Sequence, residues 1–236
     1  MNLLYGICYY EGSGKTHNIT RHVDIFNNLD VEHKQFVVTV MSDNPDPPRP
    51  REVPDDAIVI NSFNWGGTIA GLWVFFKECK GLFPANTVTA FFEEDFYPTN
   101  PDWLEDARRL LDCDNIYVGE HLREFWDAKV IENNTKYMNP IGNWSVHEHV
   151  ALDVYKANDV DLDHLRWTDG GFYFSTIKNL KQIEDKIGVF HKGNQQTKYH
   201  HTIDGILLGE VGFPSLINKH FKFTGLARAD YFIHVD

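Results

Sequence analysis

The sequence is short of cysteine and of basic side chains, and it has no long uninterrupted apolar run. Cys8, Cys79 and Cys113 are an odd number in dissimilar surroundings, which argues against a disulfide framework or a zinc-ribbon pattern. We read them as core thiols of a reducing compartment. Lys and Arg number 22 against 34 Asp and Glu, a formal net charge of −12, so the clustered cations needed to wrap a nucleic-acid backbone are missing. No nucleic-acid partner is expected. Any anionic ligand has to be held locally, by a metal ion, backbone N–H groups or a few placed cations. The start, Met1-Asn2-Leu3-Leu4-Tyr5, has neither the basic residues nor the apolar stretch of a signal peptide, and nothing reaches the length of a transmembrane helix. The expectation is a soluble, cytoplasmic chain whose sequons at Asn18, Asn134 and Asn143 are chance matches. Internal repeats and low-complexity segments are also lacking. With 236 residues and 42% hydrophobic content, one core and a single domain over residues 1–236 are expected.

Patterning is strongest in the first hundred residues. Leu3 to Tyr9 is an apolar run rich in β-formers; the breakers Glu11-Gly12-Ser13-Gly14 follow, then a helical spacing through His22, Ile25, Phe26 and Leu29. Gln35 to Met41, Ala57 to Ile60 and Val88 to Phe92 read as further strands, with a helix from Gly67 to Lys80. Strands alternating with helices indicate βαβ units and a mainly parallel sheet flanked by helices, in which ligands bind at the carboxyl ends of strands. Beyond Pro101 a helix is expected over Asp102 to Leu111, its first turn carrying acids that suit the helix dipole. Ile116 to Val118 and Gly171 to Thr176 read as strands, Ile177 to Ile187 as a helix, Asp204 to Leu208 as the start of another helix, and Tyr231 to Val235 as a final strand.

Two constellations carry chemistry. Glu93-Glu94-Asp95 stands directly after the apolar run Val88 to Phe92. Adjacent carboxylates at the end of a buried strand repel one another and lose hydration, which a hard divalent cation would offset. Mg²⁺ or Mn²⁺ is commonly held by one or two carboxylates, with phosphate oxygens completing the shell. Glu93 and Asp95, two apart, can point to the same side and clamp a diphosphate through such an ion; an acidic turn facing water is the alternative. The second constellation runs from Asn61 to Gly71, where small residues let backbone approach a ligand at a helix N-terminus, or simply make a tight packing turn.

The order of these segments resembles the family 2 inverting glycosyltransferases with the GT-A fold, a nucleotide-diphospho-sugar transferase architecture. The matching elements are Tyr9-Tyr10-Glu11 after the first strand, Asp43 after the second, Asn64-Trp65-Gly66-Gly67 at a helix start, and Glu93-Glu94-Asp95 as the DxD-type motif. The sequel Tyr97-Pro98-Thr99-Asn100-Pro101-Asp102-Trp103-Leu104, the segment Asp169-Gly170-Gly171-Phe172 and the element Ile187-Gly188-Val189-Phe190 continue the likeness, which spans roughly residues 3 to 225.

The resemblance implies a metal-dependent transfer of a sugar from a nucleotide sugar, most often a uridine diphosphate sugar, to a glycan or glycoconjugate acceptor. It implies a nucleotide-sugar-binding half over about residues 1–100 and an acceptor-binding half over about 101–236. Tyr9, Glu11, Asp43, Asn64, Trp65, Gly67, Glu93 and Glu94 would contact the donor, and Asp95 with Glu93 would hold Mn²⁺ or Mg²⁺. Asp204 stands where the family's catalytic base is found, which the resemblance implies; on intrinsic preference alone it reads as a helix N-cap. Asp43 is likewise open to an Asx-turn role. Trp167, Asp169, Gly170 and Gly171 are assigned to the acceptor; for Trp167 and Asp169, core packing and a plain loop role stay open. The chain departs from the family in having Glu93 for the first Asp of the motif and Ile203 before Asp204, so one carboxylate alone is left for the base.

Gly12-Ser13-Gly14-Lys15-Thr16 is not a P-loop, because Tyr9 occupies the place of the first glycine. His147 and His149 read as surface residues, while His201, or its neighbour His200, could complete a metal shell beside Asp95. A sugar-phosphate nucleotidyltransferase and a non-catalytic carbohydrate-binding homologue are the rival readings.

Overall fold

The alternation of apolar strand-formers with helical spacing produces an α/β arrangement in the computed structural model, which describes residues 1–12, 17–63, 67–125, 165–168, 171–188, 213–226 and 231–234. In chain order the elements begin β1 (Asn2–Tyr10), α1 (His17–Asn28), β2 (His33–Ser42), β3 (Ile58–Phe63), α2 (Gly67–Cys79) and β4 (Val88–Glu93). There follow β5 (Phe96–Pro98), α3 (Trp103–Leu111), β6 (Val118–Gly119), β7 (Leu122–Phe125) and β8 (Leu165–Thr168). The last are β9 (Phe172–Thr176), α4 (Ile177–Ile187), α5 (Phe213–Asn218), β10 (Thr224–Gly225) and β11 (Phe232–His234).

Seven strands form one sheet in the order β3-β2-β1-β4-β9-β6-β10. β1 pairs in parallel with β2 and β4, β2 with β3, and β10 with β6. β9 is antiparallel to both its neighbours, β4 and β6. The sheet is therefore mainly parallel, as the patterning indicates, and it takes strands from both halves of the chain. Two small antiparallel pairs stand apart from it, β5 with β11 and β7 with β8.

The interior position of β1 explains its composition. Every residue from Leu3 to Tyr9 is buried, because strands flank it and helices cover both faces of the sheet. Leu3, Tyr5, Ile7 and Tyr9 pack on one face with Ile19 of α1 and Trp103, Ala107 and Leu111 of α3. Leu4 and Cys8 face the other way, into a cluster built from α2, α4 and α5. Aromatic rings dominate the first face: Tyr5 stacks on Phe92 with centroids 4.8 Å apart, and Trp103 meets Phe92 edge-on at 5.4 Å. Such pairs contribute about 0.5–1.5 kcal/mol beyond area burial.

Helix ends follow local chemistry. Thr176 caps α4 by accepting from the Asn179 N–H at 3.1 Å, and Gly188, at φ 71°, ends it by donating to the Glu184 carbonyl. The helix expected from Asp102 begins one residue later: Asp102 makes no side-chain cap bond, and its N–H donates instead to Asn100 Oδ1 at 2.9 Å. One expectation for the cysteines is corrected. Cys8 and Cys79 are buried, but Cys113 is exposed just past the end of α3. The helix expected from Asp204 lies outside the described residues.

α2 lies unusually close to β1. A Cβ added at Gly71 would stand 2.5 Å from Cys8 Sγ, and one at Gly6 would stand 2.8 Å from the Phe75 ring. The glycine at position 71 thus serves helix–sheet contact. We expect Gly71→Ala to lower unfolding free energy by about 1–3 kcal/mol, the usual cost of overpacking. Urea denaturation checks this, and adding Cys8→Ala should restore part of the loss; a double variant no more stable than Gly71→Ala alone would contradict the contact.

Candidate functional site

In this sheet β2 and β3 extend to one side of β1, while β4 lies on the other. The order of the strands therefore reverses between β1 and β4, and in open α/β sheets it is outside the carboxyl ends at such a reversal that a crevice forms. The register places Cys8 opposite Glu93, so the acidic turn leaves β4 beside the end of β1.

Hydrogen bonds tie four segments together at that crevice. The Tyr10 backbone N–H donates to the Glu94 carboxylate at 3.1 Å, joining the end of β1 to the acidic turn. Thr68, in the first turn of α2, donates its hydroxyl proton to the Glu93 carboxylate. Having spent its one proton, Thr68 Oγ1 accepts from the Tyr10 hydroxyl at 3.3 Å. At the end of β2, Ser42 donates to the Glu11 carboxylate and accepts from the Asn44 N–H at 2.8 Å. These donors are neutral, so they orient the carboxylates while leaving the negative charge in place.

That charge is felt by the neighbouring groups. Burial raises the Tyr9 phenol, and the carboxylates of Glu94, Glu52 and Glu11 raise it further. Burial likewise pushes the Cys8 thiol far up, with Glu93, Glu94 and Asp95 adding to the shift. Both stay neutral at physiological pH.

A residue that the sequence presents merely as part of a helical face sits beneath the turn. His22 of α1 is fully buried, and its Nε2 is 3.2 Å from the Glu93 carbonyl oxygen. A carbonyl can only accept, so Nε2 carries the proton. Nδ1 then accepts from the Tyr5 hydroxyl at 2.8 Å. Burial pushes the His22 pKa down to about 3, and the imidazole is neutral. Its ring lies 5.6 Å from Phe92 and 4.7 Å from Tyr97, the residues that flank the turn, and Arg21 covers Tyr97 at 4.8 Å.

The sequence-derived candidates divide into groups. Glu11, Glu93, Glu94 and Asp95 gather at the crevice, with Glu94 only 3% exposed and Glu11, Glu93 and Asp95 half-buried. Tyr9 is buried in the core at the end of β1, and Gly67 begins α2. Asp43 is exposed just past β2; the turn there is built by Ser42 and by Asn44, whose Oδ1 accepts from the Asp46 N–H at 3.1 Å. Trp167, on β8, packs into the cluster that holds Trp73 and Phe213. Gly171 is also packed: a Cβ there would stand 2.5 Å from the Phe96 ring, and its carbonyl accepts from the Glu93 N–H at 3.1 Å. Asn64, Trp65, Asp169, Gly170, His201 and Asp204 lie outside the described residues, as do Lys15, His147, His149 and His200.

The donor set at the crevice is all hard oxygen, which suits Mg²⁺ or Mn²⁺ rather than a thiophilic metal. Among the described residues no three His, Cys, Asp or Glu side chains gather in a metal-ligating group. One or two carboxylates suffice for such an ion where phosphate oxygens complete the shell. Also among the described residues, no helix is long and apolar enough to cross a membrane. Comparison with models of known protein families gives no match, and comparison with curated proteins gives none, so the geometry carries the functional reading.

Because the folded His22 pKa lies below the unfolded value near 6.5, the unfolded chain takes up a proton first as pH falls. This contribution to stability is complete above pH 6.5 and is lost between about pH 6.5 and 3. Wild-type unfolding free energy should fall more steeply on acidification from pH 7.5 to 5.5 than that of His22→Phe. The difference should approach ~1.4 kcal/mol per pH unit below the unfolded pKa. Parallel slopes in denaturant titrations would contradict a neutral, buried imidazole.

Proposed function

We propose that the chain is a glycosyltransferase of the GT-A type, which moves a sugar from a nucleotide-diphosphate sugar to an acceptor hydroxyl with inversion at the anomeric carbon. The observation that carries this reading is the junction of β1, β2, α2 and the acidic turn at the strand-order reversal, where open α/β sheets take nucleotides. The mainly parallel sheet and the resemblance of the ordered motifs support it in the same direction.

In this reading Glu11, held by Ser42, accepts from the hydroxyls or ring N–H of the nucleoside, with Asp43 at the mouth of the same crevice. Asp95 and Glu93 hold Mn²⁺ or Mg²⁺ against the diphosphate. The ion, when bound, supplies Lewis-acid stabilisation of the charge that develops on the leaving phosphate. Thr68 fixes the Glu93 carboxylate, and Glu94 ties the turn to the end of β1, so the site is set before the donor arrives. Asp204 takes the proton from the attacking hydroxyl, His201 is a further candidate ligand, and Asp169 and Gly170 contribute to acceptor binding.

Carboxylates repel a diphosphate unless a cation stands between them, so this reading requires the ion. Thermal-shift titration with uridine diphosphate sugars, with and without Mn²⁺, tests it. The expected outcome is stabilisation only when both are present, about 2.7 kcal/mol at a hundredfold excess over Kd, and its loss in Asp95→Asn. No shift with any nucleotide sugar would refute the donor assignment, and release of pyrophosphate from a nucleoside triphosphate with a sugar phosphate would favour the nucleotidyltransferase. Asp204→Asn should retain donor binding while kcat falls by about 10²–10⁴-fold, the usual range for removing a general base. Unchanged transfer would remove Asp204 from the chemistry.

A further inference from the structure

We infer that His22 is a positioning residue for the acidic turn, and that it sets the turn's geometry for the donor through one hydrogen bond and two ring contacts. The inference rests on the proposed donor site. Within the fold, however, the contact pattern stands independently of any ligand.

Three observations converge. The Nε2–H of His22 holds the carbonyl of Glu93, the residue where β4 ends and the turn begins. The same ring touches Phe92 on one side of the turn and Tyr97 on the other, at 5.6 and 4.7 Å. The opposite ring nitrogen is engaged by the Tyr5 hydroxyl from the middle of β1, so the imidazole cannot rotate without losing a buried hydrogen bond. One side chain thus joins the buried strand β1 to both flanks of the turn. A hydrophobic residue could fill this place on the apolar face of α1, but it would leave the Glu93 carbonyl and the Tyr5 hydroxyl without these partners. A polar residue fully buried on an apolar helix face is costly unless its hydrogen bonds are needed, and here both are made.

The groups facing His22 are Tyr5 of β1, Phe92 and Glu93 of β4, and Tyr97 of β5, with Arg21 its neighbour on α1. None is expected to touch the substrate through His22 itself, so its effect passes through the backbone of the turn.

The test compares wild type, His22→Phe, His22→Gln and Ile183→Ala. His22→Phe keeps a ring and loses the N–H; Gln places an amide N–H near the position of Nε2. Ile183 is buried on α4 in the opposite cluster, so its truncation lowers stability without touching the turn. Hydrogen–deuterium exchange of the segment 93–98, measured without ligand, should rise at least tenfold in His22→Phe, return toward wild type in His22→Gln, and stay unchanged in Ile183→Ala. In steady-state transfer assays, His22→Phe should raise KM for the nucleotide sugar about tenfold with a smaller change in kcat, while Ile183→Ala should leave both unaltered at a temperature well below its melting point. Exchange in 93–98 that is the same in His22→Phe as in wild type, or that rises equally in Ile183→Ala, would overturn the inference. A wild type that binds no nucleotide sugar but shows the expected exchange pattern would refute the donor site and uphold the role of His22 in holding the turn.

Discussion

Everything at the carboxyl end of this sheet depends on how three consecutive carboxylates are accommodated where β4 leaves the core. Glu94 is almost fully buried, and a buried carboxylate costs several kcal/mol in lost hydration unless donors reach it. The Tyr10 N–H is one such donor, and it links the turn to the neighbouring strand. Thr68 does the same for Glu93 from the helix above, while His22 holds the backbone from the helix below. The turn is thus gripped from both faces of the sheet. These bonds orient the carboxylates, as a site needs if it is to bind a cation and, through it, a diphosphate.

The packing behind the turn explains how such a costly arrangement is supported. Tyr5, Phe92, Trp103 and Phe172 form a continuous aromatic layer under β4 and the turn, with every ring buried. β11 pairs with β5 just after the turn, and the Thr99 N–H donates to the Tyr231 carbonyl at 2.7 Å. The segment that follows the carboxylates is therefore held at both ends. On the other face, the close approach of α2 to β1 at Gly71 brings Thr68 within reach of Glu93.

Much of this fold is legible in the sequence, for a physical reason. Strands covered on both faces become unbroken apolar runs, so β1, β2 and β4 announce themselves, and α4 is recovered residue for residue between the Thr176 cap and Gly188. The short elements are not legible. β6 and β10 have two residues each, and β5 contains Pro98, which lowers the strand signal of any segment. The acidic turn is visible because its composition and its place after an apolar run coincide. Its supports are not: Thr68 and Ser42 look like ordinary residues near a helix start and a strand end, and their bonds to Glu93 and Glu11 span 25 and 31 positions. His22 left one trace, a polar residue at an apolar position of α1, whose meaning required the carbonyl of Glu93 to be located. Trp167 likewise shows its place in the core only in the fold, since a lone aromatic residue does not announce its packing partners.

The central claim is that the carboxylates where β4 ends hold a divalent ion against a nucleoside diphosphate. A crystal soaked with Mn²⁺ and uridine diphosphate tests it most directly, by anomalous scattering from the metal. The account predicts an ion peak within about 2.2 Å of an Asp95 or Glu93 carboxylate oxygen, with the pyrophosphate against it and the nucleoside reaching toward Glu11 and Asp43. Nucleotide bound elsewhere, or a crevice that takes up neither ion nor nucleotide at saturating concentration, would contradict it.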